Sequence, residues 1–147
     1  MKILIDKYRP KSLSDIKGQD KVIKKLKNFI EKFRKGESLL LYGPNGCGKT
    51  SIIYALANDL NYELFESNAS NLRDKNNIIN ILGNAVKQKS LFFSGKIILI
   101  DEIDAITEND RGCIKYLLEI IEISNMPIIF IANDIEIDKL ESLLRKV

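Results

Sequence analysis

Apolar residues recur along the chain with two alternating spacings. From Gln19 to Lys35 they fall at helical spacing, and lysines occupy the opposite face. Three further helical stripes alternate with four short apolar runs that predict strands; the stripes cover 53–60, 78–86 and 114–121, and the strands cover 38–42, 62–66, 96–100 and 127–132. Strands that alternate with helices predict an α/β fold, in which a parallel sheet is covered by helices on both faces.

Composition narrows the class of protein. The chain of 147 residues has 45% hydrophobic and 29% charged residues, which is typical of one globular domain. No apolar run approaches the roughly 20 residues that cross a bilayer, and the N-terminal residues 1–6 are too quickly charged for a signal peptide. We therefore expect an intracellular, cytoplasmic protein with no membrane contact. The chain has no histidine, and its two cysteines, Cys47 and Cys113, stand far apart, which excludes a zinc site and a histidine-based triad.

Charge is distributed unevenly along the chain. Residues 1–37 contain 12 Lys/Arg and 5 Asp/Glu, whereas the remainder contains 11 and 15. Such an uneven distribution of charge suggests that one face of the protein binds an anionic partner. A solvated basic helix explains the same composition, and both interpretations stay open.

A glycine-rich loop follows the first predicted strand and opens the next helix. Its residues are Gly43, Pro44, Asn45, Gly46, Cys47, Gly48, Lys49 and Thr50, with Ser51 next in the helix. Glycines allow successive backbone N–H groups to surround phosphate oxygens, and the helix N-terminus adds the positive end of its dipole. We predict that these residues bind ATP with Mg²⁺, that Lys49 contacts the β- and γ-phosphates, and that Thr50 ligates the metal.

Acidic and amide side chains follow the later strands. Asp101 and Glu102 come directly after an aliphatic run, and Asn133 follows the last strand. Ligands bind at the carboxyl ends of the strands in parallel α/β sheets. We predict that Asp101 holds the metal and that Glu102 polarises the attacking water, which favours hydrolysis over a small-molecule kinase. Asn133 is a candidate contact for that water or the γ-phosphate, although a simple Asn-Asp turn also explains it.

These motifs together resemble those of an AAA+ ATPase, and other segments resemble the replication factor C clamp-loader family, particularly its archaeal-type large subunit. Those segments are Lys7-Tyr8-Arg9-Pro10 with residues 13–19, Asn68-Ala69-Ser70 with Arg73, Arg111-Gly112, and residues 131–134. The chain departs from the family pattern at Asn45, Asn71 and Cys113. No Ser-Arg-Cys arginine-finger motif occurs, which fits a large subunit.

The resemblance implies a three-layer α/β/α P-loop NTPase fold with strand order 5-1-4-3-2, of which this chain supplies four of five strands. It implies that residues 1–18 wrap the adenine, with Tyr8, Arg9, Pro10, Ile16 and Gly18 as base-side contacts. The whole of 1–147 would then be an incomplete nucleotide-binding domain that lacks the fifth strand, lid and collar. We expect an N-terminal portion of a longer polypeptide, or half of a split protein. Alone, it would aggregate, dimerise through its edge strand or bind ATP weakly.

Two functions are compatible with these features. The first is an ATP-hydrolysing subunit of a clamp loader, working at the nucleoid with other loader subunits, a sliding clamp and primer–template DNA. The alternative is a nucleotide-dependent assembly module with negligible turnover of its own. Candidate DNA contacts are the basic residues Lys24, Lys25, Arg73, Lys75 and Arg111, for each of which a solvated face remains open. Residues 88–93 have the wrong spacing for a clamp-binding box, and we expect Leu91 and Phe92 to be packed.

Overall fold

A computed structural model describes residues 7–106 and 110–134, apart from the side chain of Arg111. Its centre is one sheet of four parallel strands in the order β1-β4-β3-β2. The strands are β1 (Ser38–Tyr42), β2 (Tyr62–Asn68), β3 (Gly95–Asp101) and β4 (Ile128–Ala132). The predicted parallel sheet is confirmed, and the four strands follow the order that the family resemblance implies.

Helices connect the strands as crossovers. They are α1 (Asp20–Glu31), α2 (Lys49–Leu60), α3 (Lys75–Ile78) and α4 (Arg111–Ile123). The residues Ile79–Gly83 continue α3 as a π-helical turn, a local widening that the sequence pattern did not reveal. The first helix is shorter than predicted, because Lys32 closes it and the chain turns through Gly36 at a φ of 87°.

Side chains on the two faces of the sheet enter two separate cores. On β3, Ile97 and Leu99 face α1 and α2, whereas Ile98 and Ile100 face α3 and α4. All four are fully buried, which explains why this strand is aliphatic throughout instead of alternating with polar residues. Burial of each such side chain contributes about 1.5–3 kcal/mol. The three-layer α/β/α prediction is therefore confirmed.

Among the described strands, β1 pairs with β4 on one side only. The strand has no proline or charge among its residues Ser38–Tyr42, two of the features that commonly protect a sheet edge. The expectation that a fifth strand pairs here stays a prediction. In the described part of the chain, no helix has the length and apolar character that crossing a membrane requires.

Candidate nucleotide site

The glycine-rich loop connects the end of β1 to the start of α2. Gly46 and Gly48 have φ angles of 77° and 86°, a left-handed conformation that other residues rarely adopt. Gly48 is the N-cap of α2 and has no side chain to cap the helix. The first N–H groups of α2 therefore have no capping side chain, which is the arrangement that an anion-binding helix start requires.

Lys49, the first residue of α2, turns its side chain back into the loop. Its ammonium donates hydrogen bonds to the carbonyl oxygens of Gly43 (2.7 Å) and Pro44 (2.8 Å), and lies 3.8 Å from Sγ of Cys47. Only 8% of this residue is exposed. A buried cation held by carbonyl dipoles inside a loop of backbone N–H groups makes the loop electropositive.

Thr50 and Asp101 meet across the mouth of the sheet. The Thr50 hydroxyl donates a 3.0 Å hydrogen bond to Oδ2 of Asp101, joining the start of α2 to the end of β3. The two residues are 51 positions apart in the sequence, so only the parallel crossover brings them together. Hydroxyl and carboxylate oxygens are the donors that Mg²⁺ prefers, and these two side chains therefore fit the metal role predicted for them.

Glu102 takes an unusual backbone conformation directly after β3. Its φ is 56°, in the left-handed region, and its N–H donates a 2.7 Å hydrogen bond to Oδ1 of Asp101. Its carboxylate accepts a 2.7 Å hydrogen bond from Nδ2 of Asn68 at the end of β2. Left-handed conformations of residues other than glycine cluster at functional sites, since the surroundings must maintain them. Glu102, the predicted general base, is therefore held by Asn68, which the sequence analysis had placed only in a segment that resembles the family.

Asp104 fixes the end of β4 beside the same site. It lies in the short 3₁₀ turn Ile103–Ala105, and its Oδ2 accepts hydrogen bonds from the N–H groups of Asn133 (3.0 Å) and Asp134 (3.2 Å). Sequence reasoning missed this role, although the third carboxylate in the run Asp101-Glu102-Ile103-Asp104 was a visible signal. Asp104 therefore determines where Asn133 stands relative to the acidic residues of β3.

These groups line one cleft of about 400 Å³ at the carboxyl ends of the strands. The cleft combines the loop, both acidic residues and the asparagine at the end of β4, as the sequence predicts. Its lining residues are Arg9, Asn45, Gly46, Gly48, Lys49, Thr50, Ser51, Glu66, Asp101, Glu102, Ile131 and Asn133. Neither Glu66 nor Ile131 had been assigned to the site from the sequence.

The five base-side candidates of the N-terminal segment have different surroundings. Arg9 lines the cleft, whereas Tyr8 is 74% exposed beside the ammonium of Lys7. Ile16 packs against the core on the α1 and α2 side, and Gly18 is exposed with a φ of 80°. Pro10 is partly buried. Within the described residues, Arg9 is thus the member of this group that reaches the cleft.

The candidate DNA contacts belong to two different layers. Lys24 and Lys25 are exposed on α1. Arg73 and Lys75 are exposed at the start of α3, in the layer on the other face of the sheet, where the Lys75 ammonium lies 5.0 Å from the ring centroid of Tyr116. Arg111 begins α4, and its side chain lies outside the described residues. The described candidates therefore do not form one continuous patch.

The expectation that Leu91 and Phe92 are packed is wrong. They are 88% and 89% exposed, and the neighbouring Phe93 is also exposed. These three residues form an apolar loop directly before β3, at the amino ends of the strands and away from the cleft. Hydrogen bonds from the Phe93 N–H to Oγ of Ser90 (3.3 Å) and from the Ser94 N–H to the carbonyl oxygen of Asn61 (2.9 Å) hold the loop, and its apolar side chains join neither of the two cores.

The family model of the "ATPase family associated with various cellular activities (AAA)" matches residues 39–146, which include the loop, both acidic residues and Asn133. The chain belongs to the AAA family of ATPases. This membership confirms the fold class and the nucleotide-binding ATPase class that the sequence predicts.

The chain is also similar to replication factor C large subunits of several archaea. Identity is 46% over 144 residues with that of Nanoarchaeum equitans, covering 95% of this chain and 34% of the relative. It is 44% over 143 residues in Methanococcus aeolicus (95% and 30%) and 47% over 134 residues in Sulfolobus acidocaldarius (87% and 31%). The predicted resemblance to the large subunit is confirmed. The chain spans about a third of the length of these curated relatives.

Proposed function

We propose that this chain is the ATP-binding and ATP-hydrolysing part of a replication factor C large subunit, acting in a DNA sliding-clamp loader. One observation carries the proposal: Lys49, Thr50, Asp101 and Glu102 converge on one cleft of a chain that is 46% identical to such a subunit. The 1–147 segment would act as the nucleotide-binding domain of that subunit, in the cell's replication machinery.

Phosphate binding would rest on the loop and on Lys49. The free N–H groups at the start of α2 would donate to phosphate oxygens, and the Lys49 ammonium would exchange its two carbonyl partners for the β- and γ-phosphates. Such an exchange needs no large movement, because the ammonium is already inside the loop.

Metal binding would rest on Thr50 and Asp101, whose oxygens already lie 3.0 Å apart. Mg²⁺ prefers oxygen ligands and retains several waters, so two protein groups together with phosphate oxygens suffice. When bound, the metal would neutralise charge on the phosphates during hydrolysis.

Water activation would rest on Glu102, with Asn133 as a second polar contact in the same cleft. Glu102 is exposed and not needed for packing, so its carboxylate is available to accept a proton from, or polarise, a water molecule. The hydrogen bond from Asn68 would restrain this carboxylate until the nucleotide is in place.

Partners would bind at surfaces outside the cleft. Exposed Lys24 and Lys25 on α1 are candidate contacts for DNA phosphates, with Arg73, Lys75 and Arg111 as further candidates. Residues 88–93 lack the spacing of a clamp-binding box, but the exposure of Leu91–Phe93 makes this loop a candidate contact for the clamp, since it offers three apolar side chains at the end of the sheet opposite the cleft. Nucleotide and clamp would therefore not compete for the same surface.

ATP turnover decides between this proposal and the assembly-module alternative. The rate would be measured for the wild type, Glu102→Gln and the exposed control Glu119→Gln, each alone and together with partner subunits and primed DNA. We expect Glu102→Gln to bind ATP like the wild type but to lose turnover at least about tenfold, the usual effect of removing a general base. Equal rates for all three proteins would favour the assembly module.

A further inference from the structure

The N-terminal segment is tied to α2 by hydrogen bonds that run along the helix. The Leu13 N–H donates to Oδ2 of Asp59 (3.0 Å), and Nδ2 of Asn58 donates to the carbonyl oxygen of Lys11 (3.2 Å). These contacts lead the chain along α2 from its last turn towards the glycine-rich loop. Arg9 thereby arrives at the middle of the helix, where it lines the cleft.

Tyr54 of α2 receives the side chain of Arg9. The guanidinium carbon lies 4.0 Å from the ring centroid, within the range of a cation–π contact. Tyr54 follows Thr50 by four residues, so both side chains lie on the same face of the helix. The ring therefore lies on the cleft side of α2, one helical turn after Thr50, which would hold the metal.

Glu66 of β2 contacts the hydroxyl end of the Tyr54 side chain. The Tyr54 hydroxyl donates a hydrogen bond to Oε2 of Glu66, and Glu66 itself lines the cleft. Burial raises the pKa of Tyr54, and the hydrogen bond and negative charge of Glu66 raise it further, while Arg9 acts in the opposite direction. The hydroxyl therefore stays protonated and remains a donor at neutral pH.

The carboxylate of Glu66 would repel a nucleoside triphosphate in this cleft, so its presence there requires an explanation. Glu66 is exposed and could be replaced by a neutral residue without loss of packing. Here its charge is engaged by the Tyr54 hydroxyl, and the Arg9 guanidinium on the ring of Tyr54 supplies a compensating positive charge. The three side chains thus form a unit that spans the N-terminal segment, α2 and β2.

We propose that Tyr54 and Glu66 are positioning residues that hold the Arg9 guanidinium in the cleft, where it binds the nucleotide. The proposal rests on the proposed function, because it assumes that this cleft takes up ATP. Tyr54 provides the surface, Glu66 fixes the rotation of the ring, and Arg9 makes the contact with the ligand. Nucleotide affinity then depends on Tyr54 through Arg9 and not independently of it.

The chain contains a matched control pair outside the cleft. The Lys75 ammonium lies over the ring of Tyr116, 5.0 Å from its centroid, in the layer on the opposite face of the sheet. Tyr116→Leu therefore removes a similar cation–ring contact from a partly buried tyrosine without touching the proposed unit. We expect this variant to bind ATP with wild-type affinity.

A double-mutant cycle tests the proposal. Mg-ATP affinity is measured for the full chain as wild type, Arg9→Ala, Tyr54→Leu and the double variant, with a thermal melt for each. We expect each single change to weaken binding about three- to tenfold, the range that a partly desolvated cation–π contact represents. The double variant should bind no more weakly than Arg9→Ala alone.

Conservative variants extend the cycle in case Tyr54→Leu does not fold. Tyr54→Phe keeps the ring but removes its hydrogen bond to Glu66, so binding should weaken, and it should stay weakened when Glu66→Gln is added. Multiplicative losses in the Arg9 and Tyr54 cycle, or wild-type affinity in Tyr54→Phe, would overturn the inference.

Lys49→Ala separates this result from a failure of the proposed function. If that variant binds ATP as well as the wild type does, the phosphate-loop assignment fails. If Lys49→Ala loses binding while the Arg9 and Tyr54 effects are independent, the positioning role alone is rejected.

Discussion

The side-chain amide of Asn68 donates a 2.7 Å hydrogen bond to Oε2 of Glu102, connecting the ends of the neighbouring strands β2 and β3. The contact follows from strand register, because Asn68 of β2 pairs with Asp101 of β3, the residue before Glu102. An amide donor stabilises the charged carboxylate and restricts where it points. The residue proposed to activate water is therefore restrained by a side chain from a different strand.

Asn68→Ala should release Glu102. Without the donor, the carboxylate is no longer held towards β2 and is free to turn towards the nucleotide. We expect ATP turnover in the absence of partners to rise about two- to fivefold, the effect of one hydrogen bond of about 0.5–1 kcal/mol, with unchanged ATP affinity. The change should have no effect in a Glu102→Gln background. A loss of turnover would show that Asn68 orients Glu102 productively.

Lys49→Ala should abolish tight Mg-ATP binding, since the phosphates lose their principal side-chain cation. Lys96 offers a matched control: it is also buried, donates to the carbonyl oxygen of Gln88 (3.2 Å) and lies 3.9 Å from Glu63, all away from the cleft. Lys96→Ala should lower the melting temperature but retain ATP binding. Calorimetric titration of both variants checks this, and undiminished binding by Lys49→Ala would falsify the phosphate-loop assignment.

The two cysteines should differ in reactivity. Cys113 is buried, donates to the carbonyl oxygen of Arg73 (2.7 Å), and burial together with Asp110 and Asp74 raises its pKa. A raised pKa leaves less thiolate at neutral pH, so Cys113 should label slowly in the native protein.

Cys47 is half-buried in the loop and should label faster, and Mg-ATP should protect it. Mass spectrometry of the labelled peptides, with Cys47→Ala as the control, measures both rates. Equal labelling of the two thiols with and without nucleotide contradicts this.

Reversing the charge of Lys24 and Lys25 to glutamate should weaken the binding of primed DNA by the assembled complex. Each lost phosphate contact should also reduce the salt slope of binding by about one. Lys87→Glu with Lys89→Glu is a control with the same charge change at exposed positions away from α1. If the α1 variant keeps the wild-type slope, these lysines belong to a solvated face.

Leu91→Ser with Phe92→Ser should reduce clamp binding while leaving ATP binding and the melting temperature nearly unchanged. Both side chains are almost fully exposed, so their removal costs the folded chain little. Ile123→Ser, at another exposed apolar position, is the control. Clamp capture by the assembled complex would be measured by surface binding or gel filtration. Full clamp binding by the double variant would rule this loop out as the contact.

Much of the site was predictable because its residues lie, in the sequence, at or directly after the ends of the strands that position them. Asp101 ends β3, whereas the loop 43–50, Glu102 and Asn133 each follow a strand directly, and the carboxyl ends of parallel strands meet at one edge of the sheet. Local spacing is enough to identify such residues, since backbone direction alone places them together.

Contacts between distant side chains were not predictable in this way. The pairs Asn68–Glu102, Arg9–Tyr54 and Tyr54–Glu66 depend on strand register, on the path of the N-terminal segment and on rotamers. The packing of Leu91 and Phe92 was predicted wrongly for a related reason. Apolar character favours burial, but only the tertiary structure shows whether a core lies within reach.

The sequence by itself determined the alternation of strands and helices, the phosphate loop, the acidic pair at the end of β3 and the family, because each depends on residues close together in the chain. Only the tertiary structure decided which side chains restrain Glu102 and Arg9, and which apolar residues face solvent. Those relationships join residues dozens of positions apart, and their geometry is set by packing of the whole domain rather than by any local pattern.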